Sequence, residues 1–345
     1  MKINNQKWLY TLRPDAKVSK SNYTLEEDEV LDSDDLQEGE LIIKSLYFSV
    51  DPYMRIQQSA KDSWEAPHPL NSVQLGGVVG EVIAINDKTS NLVVRDKVLS
   101  YSGWQSYAKC KSNEVTPIDE SLIHQLSYAL SILGMPGRTA YFGLFDAGRP
   151  KPGETLIVSG AAGAVGSIVA QLGCLAGCNV IGIVGGEEKC QYLKERLGVN
   201  AVIDYKKHDN LKAMNQAIQD IATDGIDVYF DNVGGYITDA VINNINVRAR
   251  IVICGQISQY SGGLDHPELG PRFLHKMLYK RATLQGILAR DFANRNQEMI
   301  SALSKMLKAG EIQYNETVIN GFHNLPTALA MLFEGKNTGK LIVKA

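Results

Sequence analysis

No stretch of the sequence approaches the roughly 20 consecutive apolar residues of a membrane span, so no transmembrane segment is expected. No Lys/Arg run stands out either. The 35 basic and 38 acidic residues nearly cancel, for a formal net charge of −3, and the electrostatic footprint of a nucleic-acid binder is missing. Cysteine is scarce and odd in number: Cys110, Cys174, Cys178, Cys190 and Cys254 are scattered, which argues for free thiols rather than a disulfide framework. Cys174 and Cys178 lie four apart in a predicted helix, where burial is a commoner explanation than a shared metal. Met1 to Tyr10 include Lys2 and Lys7 but no apolar core of a signal peptide, so the expected location is cytoplasmic. What remains is a globular chain, 44% hydrophobic and 345 residues long, of about two domains whose partners are small molecules, with no nucleic acid and no membrane.

Residues 1 to about 128 mix short strand-like runs with turn residues, as in Leu41–Phe48 and Gly77–Ile85, and this part is expected to be β-rich. The acidic stretch Glu26–Glu40 is expected to be a solvated loop or an exposed edge. From about residue 129 apolar strands alternate with longer amphipathic segments, the order of a parallel sheet covered by helices. Strands are expected at 155–159, 179–184, 201–203, 227–230 and 250–254, with a helix from Val165 to about Leu175. This is an α/β fold with a doubly wound, Rossmann-type sheet, whose ligands sit at the carboxyl ends of the strands. A helix near 297–308, another near 326–333 and the strand Leu341–Val343 follow, and the last two are expected to return to the first domain.

The run Ser159-Gly160-Ala161-Ala162-Gly163-Ala164-Val165-Gly166-Ser167 falls between a strand and a helix. Small residues there let the backbone approach a pyrophosphate, and the helix N-terminus offers it unpaired N–H groups; a merely tight-packing turn is the plainer alternative. The second strand ends in Val184-Gly185-Gly186 without the acidic residue that would bind the ribose hydroxyls of NAD, and Lys189 follows as a cation for a 2′-phosphate. Glu187 and Glu188 lie between and pull the other way. NADP is favoured over NAD, and both stay open here.

The six histidines, His68, His124, His208, His266, His275 and His323, do not pair with cysteines at metal-ligand spacing, and each reads as a surface or packing residue. With no metal expected, hydride transfer must stabilise developing charge by hydrogen bonds and draw its proton from a tyrosine, the cofactor ribose or water. Position selects two of the 15 tyrosines: Tyr260, after the strand ending Cys254-Gly255-Gln256-Ile257-Ser258, and Tyr53, after a strand of the other domain. Both could line one cleft, and packing roles are the alternative for each.

The runs Val50-Asp51-Pro52-Tyr53-Met54-Arg55, Gly134-Met135-Pro136-Gly137-Arg138-Thr139-Ala140-Tyr141, Ala161–Gly166, Phe230-Asp231-Asn232-Val233-Gly234-Gly235 and Cys254–Ser258 occur in that order. Together they resemble the zinc-independent medium-chain dehydrogenase/reductases, specifically the group of prostaglandin, leukotriene, curcumin and alkenal double-bond reductases. The resemblance covers nearly the whole chain. It implies a GroES-like substrate domain over 1–128, completed by 311–345, and a Rossmann NADP-binding domain over 129–310, with the active cleft between them. It carries the NADP(H) contacts to Gly163, Ala164, Val165 and Gly166 at the pyrophosphate and to Lys189 and Tyr205 near the 2′-phosphate. Asn232, Cys254, Gly255, Ile257, Ser258, Tyr260, Ile287, Leu288, Ala289 and Asn337 would lie along the adenosine, ribose and nicotinamide. It also implies a homodimer paired through the edge of the Rossmann sheet. The chain departs from relatives at Gly160, where alanine is common, at Ile287-Leu288-Ala289-Arg290, where an aromatic is usual, and at Ile245–Arg250, which replaces a glycine-containing turn.

The expected function is NADPH-dependent reduction of the carbon–carbon double bond of α,β-unsaturated aldehydes and ketones. Hydride goes to the β-carbon, Tyr260 and the cofactor ribose hydroxyl stabilise the enolate, and Tyr53 positions the carbonyl. An NADPH:quinone oxidoreductase shares fold and cofactor and is the enzymatic alternative. A non-catalytic NADPH-binding or structural protein is the alternative of another class.

Overall fold

The computed structural model describes residues 1–61, 63–122, 125–262 and 268–345. They group into two compact units, Met1–Ser131 with Thr317–Lys336 and Leu341–Ala345, and Ile132–Glu316 with Asn337–Lys340. The units change at 131/132, 316/317, 336/337 and 340/341, where domain changes were expected at 128/129 and 310/311. No described helix is long and apolar enough to cross a membrane.

The first unit opens with strands β1 (Lys2–Tyr10), β2 (Tyr23–Asp32) and β3 (Glu40–Ser49), then a short helix α1 (Tyr53–Gln57). Strands β4 (Ser72–Val73), β5 (Val78–Asn86), β6 (Lys97–Ser100), β7 (Tyr107–Lys111) and β8 (Thr116–Pro117) complete its N-terminal part. The apolar runs behave as their composition dictates: Leu41, Ile42, Ile43 and Phe48 of β3 are fully buried, as are Val78, Val79 and Val82 of β5. The acidic stretch divides. Its first part forms the outer strand β2 of a sheet in the order β2-β1-β4, with Glu26 and Glu29 on either side of the Lys7 ammonium at 2.9 and 3.2 Å.

The second unit begins with helix α2 (Met135–Phe142) and continues as β9 (Thr155–Ser159), α3 (Gly166–Leu175), β10 (Asn179–Val184), α4 (Glu187–Arg196), β11 (Ala201–Asp204) and α5 (Leu211–Ile221). Then come β12 (Ile226–Asp231), α6 (Gly235–Asn243), β13 (Ile245–Ile253), α7 (Leu274–Lys280), β14 (Thr283–Gly286) and α8 (Asn296–Ala309). Among the described residues the strands form one parallel sheet in the order β11-β10-β9-β12-β13-β14. The order reverses between β9 and β12, the place where such sheets open a crevice for a dinucleotide. Helices cover both faces, so the central strands read as unbroken apolar runs, and every residue of β9 is buried.

Two expectations change. Strand β13 starts at Ile245 rather than Arg250, because Arg248 takes a left-handed conformation with φ +66° and lets the chain shift register against β12 without a glycine. Cys178 lies past the end of α3, which stops at Leu175 ahead of Gly177 at φ +79°; Cys174 and Cys178 instead approach the carbonyls of Gly198 and Lys151.

The chain ends with β15 (Glu316–Asn320), α9 (Leu325–Phe333) and β16 (Lys340–Lys344). Strand β16 pairs antiparallel with β3, and Leu325, Leu329 and Leu341 enter the same core as Phe48, Met54 and Trp104. Only the turn Asn337–Lys340 groups with the second unit, where the Gly339 N–H donates to the Ala162 carbonyl at 2.7 Å.

Candidate active site

Strand β9 runs into the glycine loop, which turns at Gly160 with φ +61° and enters α3 at Gly166. The Gly163 N–H donates to the Gly160 carbonyl at 2.9 Å, closing the turn. A Cβ on Gly166 would stand 2.3 Å from that carbonyl oxygen and 2.9 Å from the Ala161 Cα, and one on Gly163 would stand 3.1 Å from the same oxygen. Such spacing leaves room for main chain only. In the first turn of α3 the Ser167 N–H donates to the Gly163 carbonyl at 3.0 Å and the Ile168 and Val169 N–H groups to the Val165 carbonyl at 3.1 Å each, so the helix start is closed on the loop; the half-buried Ala164 and Val165 and the positive end of the helix dipole lie beside it, which fits a pyrophosphate. Asn337 belongs to this end: its Nδ2 donates to the Gly339 carbonyl at 2.8 Å, in the turn bonded to the loop. Tyr314, which the sequence reading did not single out, donates from its hydroxyl to the Ala164 carbonyl at 3.3 Å.

At the end of β10 the two glycines make space that other side chains take. A Cβ on Gly185 would fall 2.6 Å from the Tyr205 ring, so the ring lies over the strand end. Lys189 is half-buried there, and burial together with the charge of Lys206 holds its pKa below the ordinary lysine value. The Lys206 ammonium lies 3.9 Å from where a Gly186 Cβ would be. The Glu188 charge acts on Lys189 in the opposite sense, and two lysines at one strand end suit a multiply charged anion. Glu187 does not compete, since it pairs with Lys207 at 3.1 Å. Asp204, at the end of β11, accepts from the Gly186 N–H at 2.8 Å and the Lys206 N–H at 3.1 Å, fixing the backbone of both. Lys206 was legible only as the neighbour of Tyr205.

The third group gathers at the ends of β12 and β13. Asp231 is fully buried, and one of its oxygens accepts from Ser159 Oγ at 3.0 Å, Tyr229 Oη at 2.8 Å and the N–H groups of Val233 and Gly234 at 2.9 Å each. The other accepts from Thr238 Oγ1 at 2.6 Å. This carboxylate ties β9, β12 and the start of α6 together, and the Asn232 side chain then donates to the Ser159 carbonyl at 2.7 Å. The Cys254 and Gly255 N–H groups donate to the Asp231 carbonyl at 2.9 and 3.1 Å, so the strand end bends over the same anchor.

Beyond it lies a cavity of about 440 Å³ whose wall includes Cys254, Gly255, Gln256, Tyr260, Ile287 and Leu288. The Tyr260 hydroxyl oxygen accepts from the Gln256 N–H at 2.8 Å, and a Cβ on Gly255 would stand 3.0 Å from it. One lone pair is taken by the main chain and the phenolic proton stays available to donate. Burial pushes the Tyr260 phenol up to about 12, against the lowering influence of that hydrogen bond, and pushes the Cys254 thiol to about 12 as well. Both stay protonated at neutral pH. Ile257 and Ser258 form the short 3₁₀ turn before Tyr260, held by Ser258 Oγ donating to the Val233 carbonyl at 2.7 Å, and Ala289 opens the 3₁₀ helix Ala289–Arg295.

Tyr53 belongs to the first unit, at the start of α1. Its hydroxyl interacts with that of Tyr101, and burial, together with the Asp51 charge, raises its pKa well above the usual phenol value. Gln57 Nε2 donates to Tyr101 Oη at 3.3 Å. Of the histidines, His68 is buried with Nε2 3.0 Å from the Val73 carbonyl, His208 is half-buried, and His275 and His323 are exposed; His124 and His266 lie outside the described residues. Among the described residues no group of three or more His, Cys, Asp or Glu side chains is placed to hold a metal ion. The five cysteines are free thiols.

Residues 6–118 match the family described as N-terminal domain of oxidoreductase, and residues 164–306 match zinc-binding dehydrogenase. The chain is 37% identical over 348 residues to the NADPH-dependent curcumin reductase of Escherichia coli, covering 99% of this chain and 97% of that one. It is 37% identical over 315 residues to the NADP(+)-dependent 2-alkenal reductase of Nicotiana tabacum, covering 88% and 87%. The crystal structure of CurA in complex with NADPH from Vibrio vulnificus matches it with a TM-score of 0.90 at 39% identity, covering 99% of each chain.

Proposed function

The chain belongs to the zinc-independent medium-chain dehydrogenase/reductases, and from that membership we propose that it is an NADPH-dependent reductase of the carbon–carbon double bond of α,β-unsaturated aldehydes and ketones. Bound NADPH supplies the hydride, which goes to the β-carbon. The glycine loop at Gly163–Gly166 holds the pyrophosphate, and Lys189, Lys206 and Tyr205 hold the 2′-phosphate. Cys254–Tyr260 and Ile287–Ala289 border the nicotinamide end, with Asn232 and Asn337 on the ribose side.

The observation that carries the chemistry is the Tyr260 hydroxyl, fixed by the Gln256 N–H at 2.8 Å on the wall of the cavity. As the double bond is reduced, negative charge develops on the carbonyl oxygen. A donor already oriented by the main chain stabilises that charge without reorganising. Tyr260 is such a donor, and its phenol remains protonated at neutral pH. Tyr53 positions the carbonyl group, and its hydroxyl too keeps its proton. The proton returned to the α-carbon comes from tyrosine or water.

A second copy of the chain pairs along β14, the outer strand of the parallel sheet. All four of its residues are exposed, and Leu274, Leu278 and Tyr279 of α7 are exposed beside it. An unpaired strand edge next to apolar side chains is covered when two copies join edge to edge.

The test is loss of NADPH absorbance with a medium-chain alkenal, an aromatic enone and a quinone in parallel, with NADH as control and the products identified. Saturated carbonyl products with NADPH strongly preferred are expected. A response to the quinone alone would assign the chain to quinone reduction instead.

A further inference from the structure

The N–H groups around the start of α3 fall into two sets. Those of Gly163, Ser167, Ile168 and Val169 donate to carbonyls of the loop at 2.9 to 3.1 Å, whereas those of Ala164, Val165 and Gly166, lying between them, have no protein acceptor among the described residues. Three consecutive unbonded donors suit a pyrophosphate, provided that no carbonyl oxygen faces it as well. The direction of the loop carbonyls is therefore part of the site.

Main-chain donors turn several of them. The Gly160 and Gly163 carbonyls accept from within the loop and α3, and the Ala162 carbonyl accepts from the Gly339 N–H at 2.7 Å. The Ala164 carbonyl is held differently, by a side chain: its donor is the Tyr314 hydroxyl at 3.3 Å. The Ala164 carbonyl and the Val165 N–H belong to one planar trans peptide and point to opposite sides, so a bond from Tyr314 on one side fixes the N–H toward the other.

Tyr314 is itself placed through both of its chain neighbours. Gln171 of α3 grips the Gln313 main chain with both ends of its amide, Nε2 donating to the carbonyl at 2.9 Å and Oε1 accepting from the N–H at 2.7 Å. On the other side the Asn315 carbonyl accepts from the Lys340 N–H at 3.1 Å, and Asn315 Nδ2 donates to the Thr338 carbonyl at 3.0 Å. A residue between two fastened neighbours presents its hydroxyl in a fixed direction.

We infer that Tyr314 is a positioning residue for the cofactor: by holding the Ala164 carbonyl away from the pyrophosphate, it keeps the Val165 N–H directed at it. The inference rests on the pyrophosphate lying at the glycine loop, as proposed above. Without the hydroxyl, the Ala164–Val165 peptide can turn its carbonyl dipole toward the phosphates, which repels them and withdraws a donor at the same time.

The experiment measures, by isothermal titration, how the full chain and its Tyr314→Phe variant bind NADPH, NADH and adenosine 2′-monophosphate, which has the 2′-phosphate but no pyrophosphate. The variant keeps the ring and loses only the hydroxyl. The Kd for NADPH and that for NADH should rise by the same factor, about fivefold, the scale of one net hydrogen bond, with the Kd for adenosine 2′-monophosphate unchanged. A tyrosine that only supports the fold would weaken all three ligands together, and that result overturns the inference. An unchanged Kd for NADPH also overturns it, as does a rise confined to NADPH, which assigns Tyr314 to the 2′-phosphate. Gly166→Ala separates the inference from the placement it rests on. If that variant weakens NADPH and NADH while Tyr314→Phe does not, the inference fails and the pyrophosphate stays at the loop; if both variants bind all three ligands as the unaltered chain does, both fall.

Discussion

The glycine-loop end of the parallel sheet and the Tyr260 end are made of different material. Around Gly160–Gly166 the fit is between main-chain atoms, with hypothetical Cβ contacts down to 2.3 Å and the Asn337–Lys340 turn bonded across the loop. Around Tyr260 the working groups are side chains on a bent strand end, each held by one or two bonds, with a cavity of about 440 Å³ beside them. The first arrangement suits a ligand of fixed shape such as a dinucleotide. The second leaves room for substrates of different size.

The sharpest way to break this comparison is to place one methyl group at each end. Gly166→Ala should force the start of α3 away from Gly160 and raise the KM for NADPH by more than about a hundredfold, because displacements near 1 Å cost that much at a positioned site. Gly286→Ala, where no atom lies within 4 Å of the added Cβ, should leave KM and melting temperature nearly unchanged. Steady-state titration of NADPH on both variants checks this. Equal effects would mean that the loop is no tighter than the cavity wall.

The same contrast explains what could be read from sequence. Strands β9 and β10 and helix α3 lie within a residue of expectation, because apolar runs bounded by glycine report a buried parallel sheet directly. The glycine loop was legible for the same reason: its function needs backbone room, and room is written as glycine. The early start of β13 was not, since Arg248 adopts a conformation that glycine normally marks. Lys206 and Asp231 were missed for a different reason. Asp231 stands inside a quoted motif, but a buried carboxylate that accepts five hydrogen bonds is known only once Ser159, Tyr229, Val233, Gly234 and Thr238 are folded around it.

The next largest effect belongs to the Tyr260 end. Tyr260→Phe keeps the ring and removes the donor, so kcat should fall by about a hundredfold, the scale of one lost donor to a developing oxyanion, with the KM for NADPH changed little. Because burial sets the phenol at about 12, the unaltered enzyme should show no loss of kcat from this group between pH 6 and 10. A pH–rate profile with an ionisation near the ordinary phenol value that disappears in Tyr260→Phe would mean that the site is wetter than its geometry indicates.

The smallest effect separates the two lysines from the loop they serve. Lys189→Ala and Lys206→Ala should each raise the KM for NADPH by about tenfold and leave that for NADH unchanged, since only the 2′-phosphate is lost as a partner. The charged ammonium is the form that binds the phosphate, and in the free enzyme Lys189 has a pKa below the ordinary lysine value because of burial and the Lys206 charge. The kcat/KM for NADPH is therefore full at neutral pH and falls as pH rises through that lowered pKa, at a lower pH than an exposed lysine would give. Lys189→Arg keeps its charge across this range and should flatten the fall. If NADH shows the same alkaline loss as NADPH, the titrating group lies elsewhere, and the two lysines act on the fold of the strand end rather than on the phosphate.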